Sequence, residues 1–129
     1  MKVALDTNVL LAGFCFGGIC RSVLQVCLDD HDVILSEWIL REVHQHLTGK
    51  FRHSKEQADE RLYFLRESTT VLELIALPVV KDDRCRDLDD LFILAAAQPG
   101  QADCLVTVDN DLLDLGAHDG TAILTPLQF

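Results

Sequence analysis

Short apolar segments alternate with longer segments of helical periodicity along most of the chain, and this alternation constrains the fold more than any other feature. Runs of this length without clean polar alternation are typical of buried parallel strands, and the helical segments between them are typical of crossover connections. The predicted strands are one that ends before Asp6 and then 32–35, 71–75, 104–108 and 122–125. The pattern predicts a three-layer α/β/α fold with a five-stranded, mostly parallel sheet.

The helical segments have recognisable boundaries. Ser36 is a suitable N-cap for one helix, and Gly49 is a suitable end for it. Glycines at 13, 17 and 18 predict a loop after the first strand, and a stripe at 19, 23, 26 and 27 predicts the apolar face of the following helix. The remaining predicted helices are 56–67, 87–97 and 111–115. With 129 residues and no linker-like segment, we expect a single domain that spans residues 1–129.

Asp6 follows the first predicted strand directly and stands in an otherwise apolar N-terminal segment. An unpaired carboxylate in such surroundings costs several kcal/mol, so we expect a partner that compensates for its charge. In open α/β sheets, ligands bind at the carboxyl ends of the strands. An Asx-turn or a helix cap is the alternative interpretation for an isolated aspartate.

Three further acidic residues recur at the ends of predicted elements. Glu42 lies in the second turn of its helix, Asp90 at the start of another, and Asp109 directly after the fourth strand. If the four carboxylates meet at one edge of the sheet, they repel one another unless a divalent cation neutralises them. Hard oxygen ligands suit Mg²⁺ or Mn²⁺, and two such ions can promote phosphodiester hydrolysis.

Each of these acids also has an ordinary structural interpretation. Glu42 could be a solvated helix residue or could pair with His46 one turn later. Asp90 could, with Asp87, complement the positive end of its helix, and Asp109 could belong to a turn. These explanations are adequate one at a time, but they do not account for an acid at four separate element ends.

The net charge of −10 is unevenly distributed. All 11 Lys and Arg precede residue 87, whereas residues 87–129 hold 8 of the 21 Asp and Glu. A general polyanion binder has the opposite balance. Nucleic acid is therefore excluded as a ligand unless cations mediate the contact, and a basic protein partner is the other interpretation.

The five cysteines form no C-x-x-C pair and are odd in number, which predicts reduced thiols rather than a disulfide framework. No apolar run reaches the length of a membrane helix, and the N-terminus has no export signal. We therefore expect a cytoplasmic protein without a membrane span.

The chain resembles the PIN-domain ribonucleases, and more specifically the VapC-like toxins of toxin–antitoxin pairs. The resemblance covers the whole chain and depends mainly on two motifs. Residues 3–11 read Val-Ala-Leu-Asp-Thr-Asn-Val-Leu-Leu, and residues 107–113 read Thr-Val-Asp-Asn-Asp-Leu-Leu. Weaker matches are 35–43, 85–95 and 123–129.

The resemblance implies a fold, an activity and a set of roles. It implies the strand order 3-2-1-4-5, metal-dependent endoribonuclease activity with Mg²⁺ or Mn²⁺, an RNA substrate and a cognate antitoxin, and it is compatible with a homodimer. The implied catalytic and metal-binding residues are Asp6, Glu42, Asp90 and Asp109, with Asp111 as an additional or alternative ligand. The implied supporting residues are Asn8, Thr107 and Ser36.

Basic residues that could contact a phosphate backbone are few. The candidates are Arg21, Lys50, Arg52 and Lys55, although a solvated loop explains the last three equally well. Neither a zinc motif of the H-E-x-x-H type nor a phosphate-binding glycine motif occurs.

Two other functions stay open from the sequence. An aspartyl phosphatase would use Asp6 as its nucleophile, but that class usually has a second acid where this chain has Asn8, and no lysine follows Lys81. A non-catalytic PIN-like module that only binds a partner would not need acids at all four positions.

Overall fold

The computed structural model of the protein describes residues 1–73 and 88–129, apart from the side chain of Leu88. The described part alternates strands and helices, as the sequence predicted. The elements are β1 (Lys2–Leu5), α1 (Thr7–Cys15), α2 (Ile19–Asp30), β2 (Asp32–Ser36), α3 (Glu37–Thr48), α4 (Lys55–Ser68), β3 (Thr70–Leu72), α5 (Leu88–Ala97), β4 (Cys104–Val106), α6 (Asn110–Leu115), β5 (Ala117–His118) and β6 (Thr121–Leu124).

The strands form one sheet in the order β3-β2-β1-β4-β6-β5. The first five strands in that order are parallel, and β5 pairs with β6 antiparallel. The parallel five confirm the predicted 3-2-1-4-5 order, since the predicted fifth strand is β6. The predicted count of five was wrong by one, because the two-residue strand β5 forms a hairpin with β6 that is too short to show in the sequence pattern.

The central strands are buried on both faces. Val3 and Leu5 of β1 and Leu105 and Val106 of β4 are all fully inaccessible to solvent. Burying an aliphatic side chain of this size stabilises a fold by about 1.5–3 kcal/mol. Because these strands carry apolar side chains on both faces, helices must cover both faces of the sheet to bury them. Strand β1 pairs with both β2 and β4, which puts Asp6 at the centre of the carboxyl edge of the sheet.

Helix α1 occupies the first part of the segment that the glycines predicted as a loop, whereas Gly17 and Gly18 do lie in the short connection between α1 and α2. Its apolar residues are buried almost all round, so they show no stripe, and Gly13 lies inside the helix. A Cβ on Gly13 would stand 2.8 Å from Cδ2 of Leu24 in α2, so the glycine allows the two helices to approach closely. The glycine therefore marks a tight packing position and not a chain break.

The predicted apolar face of α2 was partly wrong for the same reason. Val23 and Cys27 are buried together with Leu24, whereas Ile19 and Val26 are 46% and 44% exposed. The buried face turns toward α1, which the sequence-based interpretation lacked. The predicted N-cap at Ser36 is confirmed, because the Ser36 hydroxyl accepts a hydrogen bond of 3.2 Å from the Ile39 amide at the start of α3.

Some predicted boundaries lie outside the described residues, namely the end of the predicted strand 71–75, the helix start at Asp87, and Cys85. The described cysteines, Cys15, Cys20, Cys27 and Cys104, are free thiols. Among the described helices, none is alone long and apolar enough to cross a membrane, and one pair, α1 and α2, meets the criteria together but is bent by 106°.

Candidate functional site

A cleft of about 250 Å³ opens at the carboxyl edge of the sheet, where β1 and β4 end. Helices α1, α3 and α5 contribute the remaining wall. The lining residues are Asp6, Thr7, Asn8, Trp38, Glu42, His46, Asp89, Asp90, Ile93 and Asp109. The four acids that the sequence predicted to meet, Asp6, Glu42, Asp90 and Asp109, therefore line one cleft.

Asp6 is held in place by the end of β4. It is only 6% exposed, and its Oδ2 accepts a hydrogen bond of 2.6 Å from the Thr107 hydroxyl. The Thr107 oxygen in turn accepts a hydrogen bond of 3.0 Å from the Asp109 amide, and Asp109 Oδ1 accepts one of 2.8 Å from the Asp111 amide. These contacts fix the Asp6 carboxylate relative to the turn that carries Asp109 and Asp111.

Burial raises the pKa of Asp6 above its usual value, because removal from water disfavours the charged form. The nearby Asp109 carboxylate acts in the same direction. The Thr107 hydroxyl and the amides of Asn8 and Thr7 lower the pKa, but they do not overcome burial. A cation in the cleft would relieve the cost that the buried charge imposes.

Thr107→Val is expected to lower the free energy of unfolding by about 1–3 kcal/mol, because it leaves Asp6 Oδ2 and the Asp109 amide without their partner. Thr107 is fully buried, so water cannot easily replace the hydroxyl. Thr107→Ser keeps the hydroxyl and is the matched control. Urea denaturation of the three proteins measures the difference, and a loss in Thr107→Val no larger than that in Thr107→Ser would contradict the role of the hydroxyl.

A group of three carboxylates lies beside Asp6. Asp90, Asp109 and Asp111 each offer one oxygen within 4.8 Å of the others. Oxygen donors at this spacing suit a hard divalent cation such as Mg²⁺ or Mn²⁺. The Thr7 hydroxyl, which also lines the cleft, is buried and has no hydrogen-bond partner within the described ranges. These residues fit a hydrated metal ion, which supplies positive charge for the acids and water for the hydroxyl.

Glu42 lies on α3 and is joined to His46 one turn later. Its Oε2 is 3.9 Å from Nδ1 of His46, and the same nitrogen lies 2.7 Å from the carbonyl oxygen of Glu42. Because a carbonyl oxygen can only accept, Nδ1 carries a proton and donates it in that hydrogen bond. The pairing of Glu42 with His46 that the sequence allowed is therefore present, and it coexists with the position of Glu42 in the cleft wall.

The supporting residues occupy different positions. Asn8 is exposed and lines the cleft, whereas the buried Ser36 begins α3 and thus sets the direction of the helix that carries Glu42. No role was predicted for Trp38, and His46 was predicted only as a possible partner of Glu42. Each lies four residues from Glu42 on the same helix, and this spacing was the available signal, because such positions share a face.

The four basic candidates for RNA contact do not line this cleft. The Arg21 side chain donates a hydrogen bond of 3.2 Å to the Gly13 carbonyl oxygen, and the Lys50 ammonium lies 5.7 Å from the centre of the Phe51 ring. Arg52 and Lys55 belong to the exposed segment around the start of α4. In the described part of the chain, the cleft is thus lined by acids without a Lys or Arg.

Comparisons with known proteins give one family and a consistent fold. The model of a family described as PIN domain matches residues 2–111. No curated protein matches the chain.

Two solved structures are similar over almost the full length of both chains. VapBC2 from Rickettsia felis bound to a DNA fragment from their promoter has a TM-score of 0.65 and 15% identity, and the match covers 97% of this chain and 98% of that one. A toxin–antitoxin complex from Klebsiella pneumoniae has a TM-score of 0.65 and 19% identity, with 98% and 99% covered. At these identities the similarity shows a common fold.

Proposed function

The chain belongs to the PIN domain family, and from this premise we propose that it is a divalent-metal-dependent endoribonuclease and the toxin of a toxin–antitoxin pair in the cytoplasm. The observation that carries the proposal is the cluster of three carboxylates, Asp90, Asp109 and Asp111, beside the buried Asp6. Carboxylates concentrated at the carboxyl edge of a parallel sheet have a clear use in binding metal for phosphodiester hydrolysis.

Each acid has a distinct part in the proposed mechanism. Asp90 and Asp109 would hold the metal together with Asp6, and Asp111 would complete the set of ligands. A bound Mg²⁺ or Mn²⁺ supplies Lewis acidity and a water of lowered pKa. Glu42 accepts a hydrogen bond from the attacking water, and Thr107 keeps the Asp6 carboxylate in a fixed orientation through its 2.6 Å hydrogen bond.

The charge of the cleft supports metal dependence. RNA phosphates would meet only acidic, neutral and imidazole side chains among the described lining residues, so repulsion opposes binding in the absence of a cation. A bound cation would therefore offset the repulsion of the phosphate and supply the Lewis acidity for its hydrolysis.

Incubation of the purified protein with a labelled single-stranded RNA of mixed sequence tests the activity. Cleavage is expected with Mg²⁺ or Mn²⁺ and is expected to stop when EDTA is added. A phosphate monoester assayed in parallel separates the aspartyl-phosphatase alternative. Release of inorganic phosphate from the monoester without RNA cleavage would contradict the nuclease proposal, as would cleavage that persists in EDTA.

The solved structures that share the fold include toxin–antitoxin complexes, which supports an antitoxin partner for this chain. Because residues 87–129 carry acids and no Lys or Arg, we propose that this partner contributes basic residues to the acidic cleft. A complex of two partner chains with a homodimer of this protein is compatible with the proposal.

Co-expression with the product of a neighbouring small gene is expected to yield a complex that dissociates as salt is raised and that cleaves RNA more slowly than the free protein. The salt sensitivity follows from screening of charge pairs at the interface. Size-exclusion chromatography at two salt concentrations and an RNA cleavage assay measure the two effects. A complex that cleaves as fast as the free protein would exclude an inhibitory partner.

A further inference from the structure

Helix α3 presents three chemically different side chains to the cleft. Trp38, Glu42 and His46 are four residues apart, so they lie on one face of the helix, and all three line the cleft. Glu42 belongs to the proposed hydrolytic machinery, whereas the indole of Trp38 has no part in it. Trp38 is one helical turn from Glu42, about 6 Å along the helix axis.

The indole is supported from behind by a second aromatic ring. The rings of Trp38 and Phe92 are parallel within 5°, and their centres are 4.7 Å apart. Trp38 also packs partly against the hydrophobic core. Phe92 covers part of the indole, and both rings stay only partly buried.

Trp38 borders two clefts. Trp38 lines the acidic cleft, and the same indole with Phe92 lines a neighbouring cleft of about 600 Å³. That second cleft also contains Arg41, a cation of the kind that contacts a phosphate backbone. An indole that only joined α3 to α5 would gain most from complete burial, whereas Trp38 is accessible beside the acids.

We propose that Trp38 is a stacking platform for an unpaired base of the RNA strand whose phosphate lies at the acidic cleft, and that Phe92 holds the indole in place. Stacking on an aromatic ring tolerates any base, because every base has a π-face. A base within a duplex is already stacked and paired, so the platform favours single-stranded RNA. This inference rests on the proposed function, because it assigns the base-binding part of the same site.

Trp38 is the only tryptophan of the chain, so its fluorescence reports directly on the platform. A 12-nucleotide oligoadenylate and an abasic strand of the same length have the same phosphates, but only the first can stack. Rapid mixing of wild-type protein with each strand in Mg²⁺ is expected to quench the fluorescence with oligoadenylate and not with the abasic strand. Equal signals from the two strands would overturn the proposal.

Substitutions give a second, independent measurement. Trp38→Leu is expected to weaken binding of a labelled oligoadenylate about tenfold, equal to about 1.4 kcal/mol, whereas Trp38→Phe keeps a ring and should stay within about twofold of wild type. Tyr63→Leu, which removes an exposed ring from α4, is the matched control and should bind normally. Fluorescence anisotropy measures affinity, and thermal melts establish that each variant folds.

The outcomes separate this proposal from the proposed function. Base-dependent quenching without RNA cleavage would support the platform and contradict the nuclease. Normal cleavage together with normal binding by a folded Trp38→Leu variant would contradict the platform and leave the nuclease in place.

Discussion

Asp6→Asn is expected to reduce metal-dependent RNA cleavage by more than about 100-fold. Removal of an outer-sphere partner of a metal site already costs up to about 100-fold, and Asp6 is proposed as a direct ligand. The amide keeps the shape of the carboxylate and can still accept the hydrogen bond from Thr107, but it lacks the charge that holds a cation. The protein is expected to stay folded. Cleavage of labelled RNA in Mn²⁺ and circular dichroism measure the two effects.

Asp32→Asn is the matched control for this experiment. Asp32 is exposed and begins β2, at the opposite edge of the same sheet, so the variant has the same change in charge without a change at the cleft. It should cleave RNA at the wild-type rate. Full activity in a folded Asp6→Asn protein would remove Asp6 from the proposed mechanism.

Divalent metal is expected to raise the melting temperature of the protein by roughly 10 °C at a hundredfold excess over the dissociation constant, which corresponds to about 2.7 kcal/mol. The gain arises because the ion binds the folded acidic cleft and not the unfolded chain. Asp90→Asn should reduce the gain, because it removes one carboxylate of the metal-binding group. Thermal melts with and without Mn²⁺ provide the measurement.

Mild acidification should stabilise the metal-free protein in a related way. The pKa of Asp6 is raised in the folded state, so the folded protein binds a proton at a pH where the unfolded chain, with an ordinary value of 3.8, does not. Stability therefore increases as pH falls through the folded pKa, and this increase ends near the unfolded value.

The Asp6→Asn variant isolates this contribution. It has no carboxyl group to titrate at that position, so its melting temperature should lack the corresponding rise on acidification. If wild type and variant gave parallel curves of melting temperature against pH, burial of Asp6 would not be the cause.

For the metal prediction, a wild-type melting temperature that does not change with Mn²⁺ would contradict the metal site itself.

The sheet was predictable because its strands are short, aliphatic and separated by regular helices. Helix α1 was not, because a helix buried on almost all sides has no apolar stripe and Gly13 suggested a break. The glycine is explained only by the packed structure, where its missing side chain makes room for Leu24. The hairpin of β5 and β6 depends on two residues, too few for any periodicity.

The site was predictable in outline and not in detail. The sequence placed Asp6, Glu42, Asp90 and Asp109 at element ends, and all four line the cleft. Asp90, Asp109 and Asp111 each bring one oxygen within 4.8 Å of the others, and the turn at the start of α6 places Asp111 beside Asp109. Asp111 was predicted only as an additional or alternative ligand, because the sequence does not specify the distances between carboxylates.

The hydrogen bond between Thr107 and Asp6 joins residues 101 positions apart in the chain. Contacts of such long sequence separation form late, since closing the intervening loop costs entropy before any contact compensates for it. During synthesis from the N-terminus, Asp6 emerges long before its partner strand, and the acidic cleft cannot be completed until β4 and α6 have left the ribosome. Until then, a nascent chain carries Asp6 without the carboxylates of Asp109 and Asp111 beside it.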